Sequence, residues 1–414
     1  MSFRTRALGL SLLASVTAFS GCAAEDGDEE AARASGQAIM GGYADPGDKA
    51  VVGIAWIEGQ YVSMCTGSLI APNLVLTARH CVANITGMVG GGVDCTKSKF
   101  TAPDGVANFG VTTEQFMPWD QAKYHAVKEI IVPTDPLVCG NDVAMMVLAE
   151  NVDPSEAAPL IPRVDTKSAK NDDYSAIGYG NTNDTSGGGQ RRRRDDLVID
   201  CITSCPSDYL VINREWLGDT GICQGDSGGP AVDAEGRVIG VTSRGQSGCT
   251  FPVYGYVFGW ADWIKETALH AADVGGYPPA GWAKGFSSDP IFNFPVGDAC
   301  TDGAGCPSGA CVTDDNGSYC SRACSDVGPC PDGYTCAQIG DQQLCQKPPP
   351  VIPEETPDAG DGNGGEAPST SEKSGCSISD TDPTKPVPWS TGVAVAAAGL
   401  ALLRRRRRGT SVDR

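Results

Sequence analysis

Residues 225–230 read Gly-Asp-Ser-Gly-Gly-Pro, with Cys223 two places upstream. A hydroxyl between glycines suits a tight turn, in which the backbone comes close to a substrate and aims N–H groups at it. A serine hydroxyl is a weak nucleophile at neutral pH. Ser227 therefore requires a histidine to take its proton and an acid to orient that histidine. The chain holds three histidines, His80, His125 and His270. His80 ends an apolar run, Leu69-Ile70 then Leu74-Val75-Leu76, that reads as a buried strand. His125 follows Tyr124 in a polar stretch and His270 falls in a helix-like segment beyond Trp260 and Trp263, so both read as surface or packing residues.

Three segments now stand in order: Leu-Thr-Ala-Arg-His-Cys at 76–81, Asn-Asp-Val-Ala-Met-Met-Val-Leu at 141–148, and the serine string. They resemble the signature segments of the chymotrypsin/trypsin serine protease family. The resemblance implies that His80 is the general base and acid, Asp142 its orienting acid and Ser227 the nucleophile. It also implies that the backbone N–H groups of Gly225 and Ser227 form the oxyanion hole. Ile39-Met40-Gly41-Gly42 resembles the family's mature N-terminus, with Met where Val is usual. There a freed α-amino group folds inward and pairs with the aspartate before the nucleophile, here Asp226, because an unpaired buried charge is expensive. Residue 38 is alanine, so release after a small residue is implied, by another protease.

By the same resemblance, Gly221, six positions before the nucleophile, lies at the base of the specificity pocket and supplies no charge. Ser243-Arg244-Gly245 matches the substrate-binding edge strand, where an aromatic residue is usual in the middle. Gly245 leaves the pocket mouth open, Ile222 narrows its wall, and Arg244 points to acidic groups at neighbouring subsites. The expected cleavage is after apolar, small-to-medium residues rather than Arg or Lys. Disulfides Cys65–Cys81 and Cys223–Cys249 are implied as well. Cys95, Cys139, Cys201 and Cys205 remain, with three possible pairings, of which Cys95–Cys139 with Cys201–Cys205 is favoured.

The elements that position these groups are those of an all-β domain: two packed six-stranded antiparallel β-barrels over 39–272, closed by a C-terminal helix near Val257–Lys265. Short apolar runs such as 50–56 and 238–241 supply its strands. Between the barrels, a Gly-rich stretch and the run Arg191–Arg194 read as a solvated loop kept exposed by its charge.

The rest of the chain bears on location. Arg4 and Arg6 precede an apolar stretch, Ala7–Ala18, then Phe19-Ser20-Gly21-Cys22. Residues 1–22 read as an export signal. The final quartet resembles a bacterial lipobox, which leaves lipidation of Cys22 and plain signal cleavage both open. Residues 23–38 read as a propeptide, and 273–299 as a linker. Eight cysteines in 300–345 suggest a small disulfide-held module; zinc is the rival reading, though the segment has no histidine. Residues 346–386, rich in Pro, Gly, Ser and acids, read as a disordered stalk. The span 387–408 joins a short hydrophobic helix, at the lower limit for crossing a bilayer, to an arginine cluster. With Cys376 it resembles a myxobacterial C-terminal sorting signal; an ordinary membrane anchor is the alternative.

Of the eighteen cysteines, Cys22 and Cys376 thus stand outside the two disulfide-rich segments. The formal net charge of −20 argues against nucleic-acid binding. Protein or peptide substrates are expected, with neither metal nor organic cofactor. An exported protein of a Gram-negative bacterium, displayed at the cell surface or outer membrane or secreted, fits both ends. A protease-like surface binding or adhesion protein without catalysis is the competing class; family relatives of that kind usually lose a triad residue, whereas His80, Asp142 and Ser227 are all present.

Overall fold

A computed structural model describes residues 39, 42–58, 61–182, 186–203, 205–206, 210–246 and 248–349. The export signal, the propeptide, the stalk beyond 349, Cys22, Cys376 and the apolar span 387–408 lie outside the described residues. Among the described residues, no helix is long and apolar enough to cross a membrane.

A short strand, β1 (Tyr43–Ala44), leads into the first barrel. Its strands are β2 (Val51–Glu58), β3 (Tyr61–Ala71) and β4 (Leu74–Thr77), then, after a small ladder of β5 (Ile85–Thr86) with β6 (Lys99–Phe100), β7 (Phe109–Thr112), β8 (His125–Ile131) and β9 (Ala144–Leu148). They close in the order β2-β3-β4-β9-β8-β7. Side chains alternate between faces of a strand, and β9 shows the consequence. Ala144, Met146 and Leu148 fill the barrel interior with Val52, Ile54, Leu69 and Val75. Met145 and Val147 face the other way, into a core shared with Ile177, Val241 and Ile264 of the second half. Burial on both faces is why the run after Asp142 is continuously apolar.

The second barrel comprises β10 (Asp173–Gly178), β11 (Arg192–Ile202), β12 (Glu215–Gly218), β13 (Pro230–Val232), β14 (Val238–Gln246) and β15 (Thr250–Tyr256). The order is β11-β10-β13-β14-β15-β12, and the β11–β12 pairing closes it, with β1 added along β11. Its interior is aromatic: Trp216 stacks on Tyr254 with centroids 4.1 Å apart, and Tyr174 meets both edge-on. A 3-10 turn, Val257–Trp260, runs into helix α1 (Ala261–Gly275). Ile264, Ala268 and Ala271 form the stripe that packs α1 on the inter-barrel core.

Two expectations need correction. The arginine run is no solvated loop, since Arg192–Arg194 begin β11 and Arg191 is 0% exposed. The Arg191 guanidinium donates to the carbonyls of Asp45, Val51 and Thr113 at 3.1, 3.2 and 2.9 Å, and to Tyr179 Oη at 3.0 Å. Arg193 bridges Asp48 and Asp195. Carbonyl and carboxylate partners from distant segments compensate the desolvation, and no local pattern announces them.

The 273–299 segment is likewise a packed strap. Tyr277 Oη donates to Asn73 Oδ1 at 2.7 Å, Trp282 is 2% exposed in the inter-barrel core, and Ser288 Oγ accepts from the Val164 N–H at 3.2 Å. Trp282→Ala is expected to cost about 3–5 kcal/mol of stability. Chemical denaturation checks this, and a loss below about 1 kcal/mol would mean that the strap is merely tethered.

The Cys-rich segment consists of two hairpins, β16 (Ala310–Asp314) with β17 (Gly317–Ser321) and β18 (Thr335–Ile339) with β19 (Gln342–Gln346). Bridges join Cys300 to Cys311, Cys306 to Cys320, Cys324 to Cys336 and Cys330 to Cys345. First pairs with third and second with fourth in both halves, so the module is a tandem repeat. The paired cysteines leave no thiolates for zinc.

Candidate active site

β4 ends at Thr77, and one turn of 3-10 helix, Arg79–Cys81, presents His80. Arg79 anchors the turn by donating to the carbonyls of Pro133 at 2.9 Å and Asp135 at 2.8 Å. The Cys65–Cys81 disulfide ties it to β3. Asp142 comes from the loop just before β9 and is buried. His80 Nδ1 lies 2.8 Å from Asp142 Oδ2, and the His80 backbone N–H donates to Oδ1 at 2.9 Å. Ser243 Oγ donates to Oδ2 at 2.6 Å. A carboxylate partner assigns the proton to Nδ1 and leaves Nε2 as the basic nitrogen.

Burial opposes the imidazolium, but the charge and hydrogen bond of Asp142 outweigh it, and the His80 pKa lies above its ordinary value. For Asp142, burial works upward, yet His80 and the hydrogen bonds from Ser243 and the His80 backbone bring the carboxyl below its usual range. A base biased towards accepting a proton, beside an acid that stays ionised, is what proton transfer from a hydroxyl demands.

Ser227 lies in the loop that leads into β13. Thr66, at the centre of β3, holds this loop from the first barrel. Its N–H donates to the Ser227 carbonyl at 2.8 Å, and its hydroxyl donates to the Gly225 carbonyl at 2.8 Å. The same hydroxyl accepts from the Tyr179 N–H at 3.0 Å. Sequence reasoning passed over Thr66, because a threonine in a strand carries no signal of its distant partners. Gly225 has φ of 97°, and a Cβ there would lie 2.8 Å from Gly180 Cα, so only glycine fits.

His80, Gln224, Gly225 and Ser227 line a cleft of about 480 Å³. Ser227 also lines an adjoining cavity of about 450 Å³ with Ile222, Cys223, Ser243, Arg244 and Gly245. Gln224 and Ser227 line both. His125 and His270 lie apart from this cleft. His125 Nε2 is 2.7 Å from Glu156 Oε1, and His270 Nε2 is 2.8 Å from Glu129 Oε2.

Asp226 is 1% exposed, and its carboxyl accepts from the N–H groups of Gly180 and Cys223, each at 2.8 Å. Burial, only partly offset by these donors, pushes its pKa up to about 7. Ile39 is fully buried against Tyr174, Leu197 and Ile199. Gly221 has φ of 153°, and a Cβ there would lie 2.7 Å from Arg194 Nη1. Arg244 does not offer an open charge to neighbouring acidic groups, for it is paired face to face with Glu215 at 2.6 and 2.9 Å. Further disulfides join Cys223 to Cys249, Cys95 to Cys139 and Cys201 to Cys205.

Two closed six-stranded barrels with a histidine, an aspartate and a serine at their junction define the chymotrypsin-like class of serine endopeptidases. The family model for trypsin matches residues 39–264, more than half of the chain, and the chain belongs to that family. It is 27% identical over 220 residues to kallikrein 1-related peptidase b24 of Mus musculus, covering 49% of this chain and 80% of that protein. It is also 27% identical over 222 residues to a trypsin of Saccharopolyspora erythraea, covering 50% of this chain and 88% of that one. A trypsin of Phaedon cochleariae is 27% identical over 252 residues, covering 55% and 87%. The enzyme is a hydrolase of protein or peptide substrates.

Proposed function

We propose that the enzyme acts through His80, Asp142 and Ser227, with the N–H groups of Gly225 and Ser227 as the oxyanion hole. The observation that carries this reading is the pair of hydrogen bonds from His80 to one buried carboxylate, beside the cleft that Ser227 shares. His80 Nε2 takes the Ser227 proton as Oγ attacks the scissile carbonyl. The tetrahedral oxyanion is held by the two N–H groups, and His80 then gives the proton to the leaving amine. Water repeats the sequence on the acyl-enzyme. The binding-protein alternative is disfavoured because His80, Asp142 and Ser227 are all present in the chain.

The same reading has the protein exported, with residues 1–22 as the signal and 23–38 as the propeptide, and anchored or sorted through Cys22 or Cys376. Cleavage before Ile39 is the proposed activation. Ile39 has φ of 41°, a conformation that is an outlier for a β-branched side chain. An N-terminal residue has no φ, so cleavage removes that constraint.

Cleavage after apolar, small-to-medium residues is supported by Gly221, which puts no carboxylate at the pocket base. The test is a peptide library varied at the residue before the scissile bond, digested by protein with a free Ile39. Substrates with Leu, Met, Phe, Ala or Val are expected to be preferred over Arg or Lys by about 100-fold or more, the scale of an unpaired buried charge. Efficient hydrolysis confined to Arg and Lys substrates would sink the specificity reading.

A further inference from the structure

Glu215 opens β12 and is 1% exposed. Its Oε1 accepts from the Gly140 N–H at 2.6 Å and from Arg244 Nη1 at 2.6 Å. Its Oε2 accepts from the Ile212 N–H at 3.1 Å and from Arg244 Nη2 at 2.9 Å. Both ends of this grip lead to the triad. Gly140 precedes Asp142 by one intervening residue, on the same tight loop. Arg244 directly follows Ser243, whose hydroxyl donates to Asp142 Oδ2 at 2.6 Å. Arg244 Nη1 also approaches Ser243 Oγ at 3.4 Å, and its Nη2 donates to the Leu210 carbonyl at 2.7 Å.

Stability alone is a weak reason for such a pair, because desolvating two charges costs about as much as their attraction returns, and apolar replacements are often as stable. What the pair does supply is register. One carboxylate holds both the loop that presents Asp142 and the strand that presents Ser243, and the planar guanidinium fixes the angle between them.

We propose that Glu215 and Arg244 form a positioning unit for the triad, which sets the orientation of Asp142 and places a fixed cation behind it. The inference rests on the assignment of His80, Asp142 and Ser227 as the reacting groups. The charged groups around His80 are Asp142 from the loop before β9, Arg244 from β14, Arg79 from its own turn facing Asp142, and Asp104 along the cleft. Glu215 stands behind Arg244. Of these, the Arg244 charge opposes protonation of His80, working against Asp142.

The test compares the double variant Glu215→Gln/Arg244→Met, which removes both charges at similar length, with Arg244→Lys, which keeps the cation and loses the fork. Steady-state kcat and KM, the pH profile of kcat/KM and thermal melting are measured on the processed enzyme, alongside Ser227→Ala. For the double variant, kcat is expected to fall about tenfold, the size seen when the support of a reacting group is lost. Its acid limb is expected to move up by a few tenths of a pH unit, because loss of the nearer Arg244 cation outweighs loss of the Glu215 carboxylate behind it. Arg244→Lys is expected to keep the acid limb and still lose kcat severalfold.

Wild-type kcat and acid limb in a folded double variant overturn the proposal. So does a change in KM alone, which would make the pair a pocket wall. If the double variant does not melt cooperatively, Arg244→Lys decides, and an unchanged kcat there overturns the proposal. Retained hydrolysis by Ser227→Ala overturns the triad assignment instead. Loss there with wild-type kinetics in the pair variants overturns only the positioning role.

Discussion

Ser227→Ala is expected to lower kcat of the processed enzyme by on the order of 10⁴- to 10⁶-fold, with the fold intact. The magnitude follows from how the proposed groups act together. Removing the nucleophile leaves His80 without a proton to accept, and only binding and the N–H groups of the oxyanion hole continue to assist water. His80→Ala should cost a similar factor, and the double variant hardly more than either, because the two residues carry one step. Asp142→Asn tests the third member. With the amide oxygen kept on the His80 backbone N–H, the amide NH2 faces Nδ1 and favours the wrong tautomer, and a loss of on the order of 10⁴-fold is expected. Asp142 also accepts from Ser243 and from the His80 backbone, so melting curves must accompany the kinetics. The checks are burst titration with a chromogenic ester and labelling by a fluorophosphonate. A Ser227→Ala protein that retains the burst and the label would remove Ser227 from the mechanism.

Cleavage after Ala38 is expected to raise activity by on the order of 10²- to 10³-fold, and Asp226→Asn in the cleaved enzyme to remove most of that gain. The size is that of a buried carboxylate acquiring or losing its charge partner. In the uncleaved chain, burial outweighs the N–H groups of Cys223 and Gly180, and the Asp226 pKa is pushed up to about 7. A folded-state pKa above the unfolded one gives stabilisation that is fully present below about pH 4. That stabilisation is lost as the pH rises towards about 7.

The uncleaved chain should therefore lose stability across that window. Once an α-ammonium group faces the carboxylate, the ionised form is favoured and the loss should shrink. Asp226→Asn should flatten this contribution in the uncleaved chain. Denaturation of cleaved and uncleaved protein from pH 4 to 8, with Ser227→Ala to prevent self-digestion, measures it. Parallel stability profiles, together with full activity in the Asp226→Asn enzyme, would remove Asp226 from the activation mechanism.

The barrels and the three candidate segments were legible in the sequence for physical reasons. A nucleophile loop needs glycines where the backbone approaches other chain closely, as at Gly225. A strand buried on both faces must be apolar throughout, as β9 is. These constraints are local, so the residues that meet them stand together in the chain. The arginine run shows where that logic ends. Four adjacent cations read as exposed because burial requires partners, and those partners, the carbonyls of Asp45, Val51 and Thr113, lie on segments that only folding brings together.

Arg244 makes the same point at the site itself. Its position on the edge strand followed from the neighbouring Ser243 and Gly245, but its charge looked available to substrate. The fold turns it onto Glu215, whose carboxylate also binds the Gly140 N–H. Thr66 joins the two barrels at the nucleophile loop in the same way, through partners more than a hundred residues distant. The sequence by itself determined the class of chemistry and the family, because the candidate nucleophile, base and acid and their surroundings are written as short contiguous strings. Only the tertiary structure decided which buried charges are paired and which distant groups hold Asp142 and the loop of Ser227. Those are properties of contacts between distant segments, formed when the two barrels close against each other.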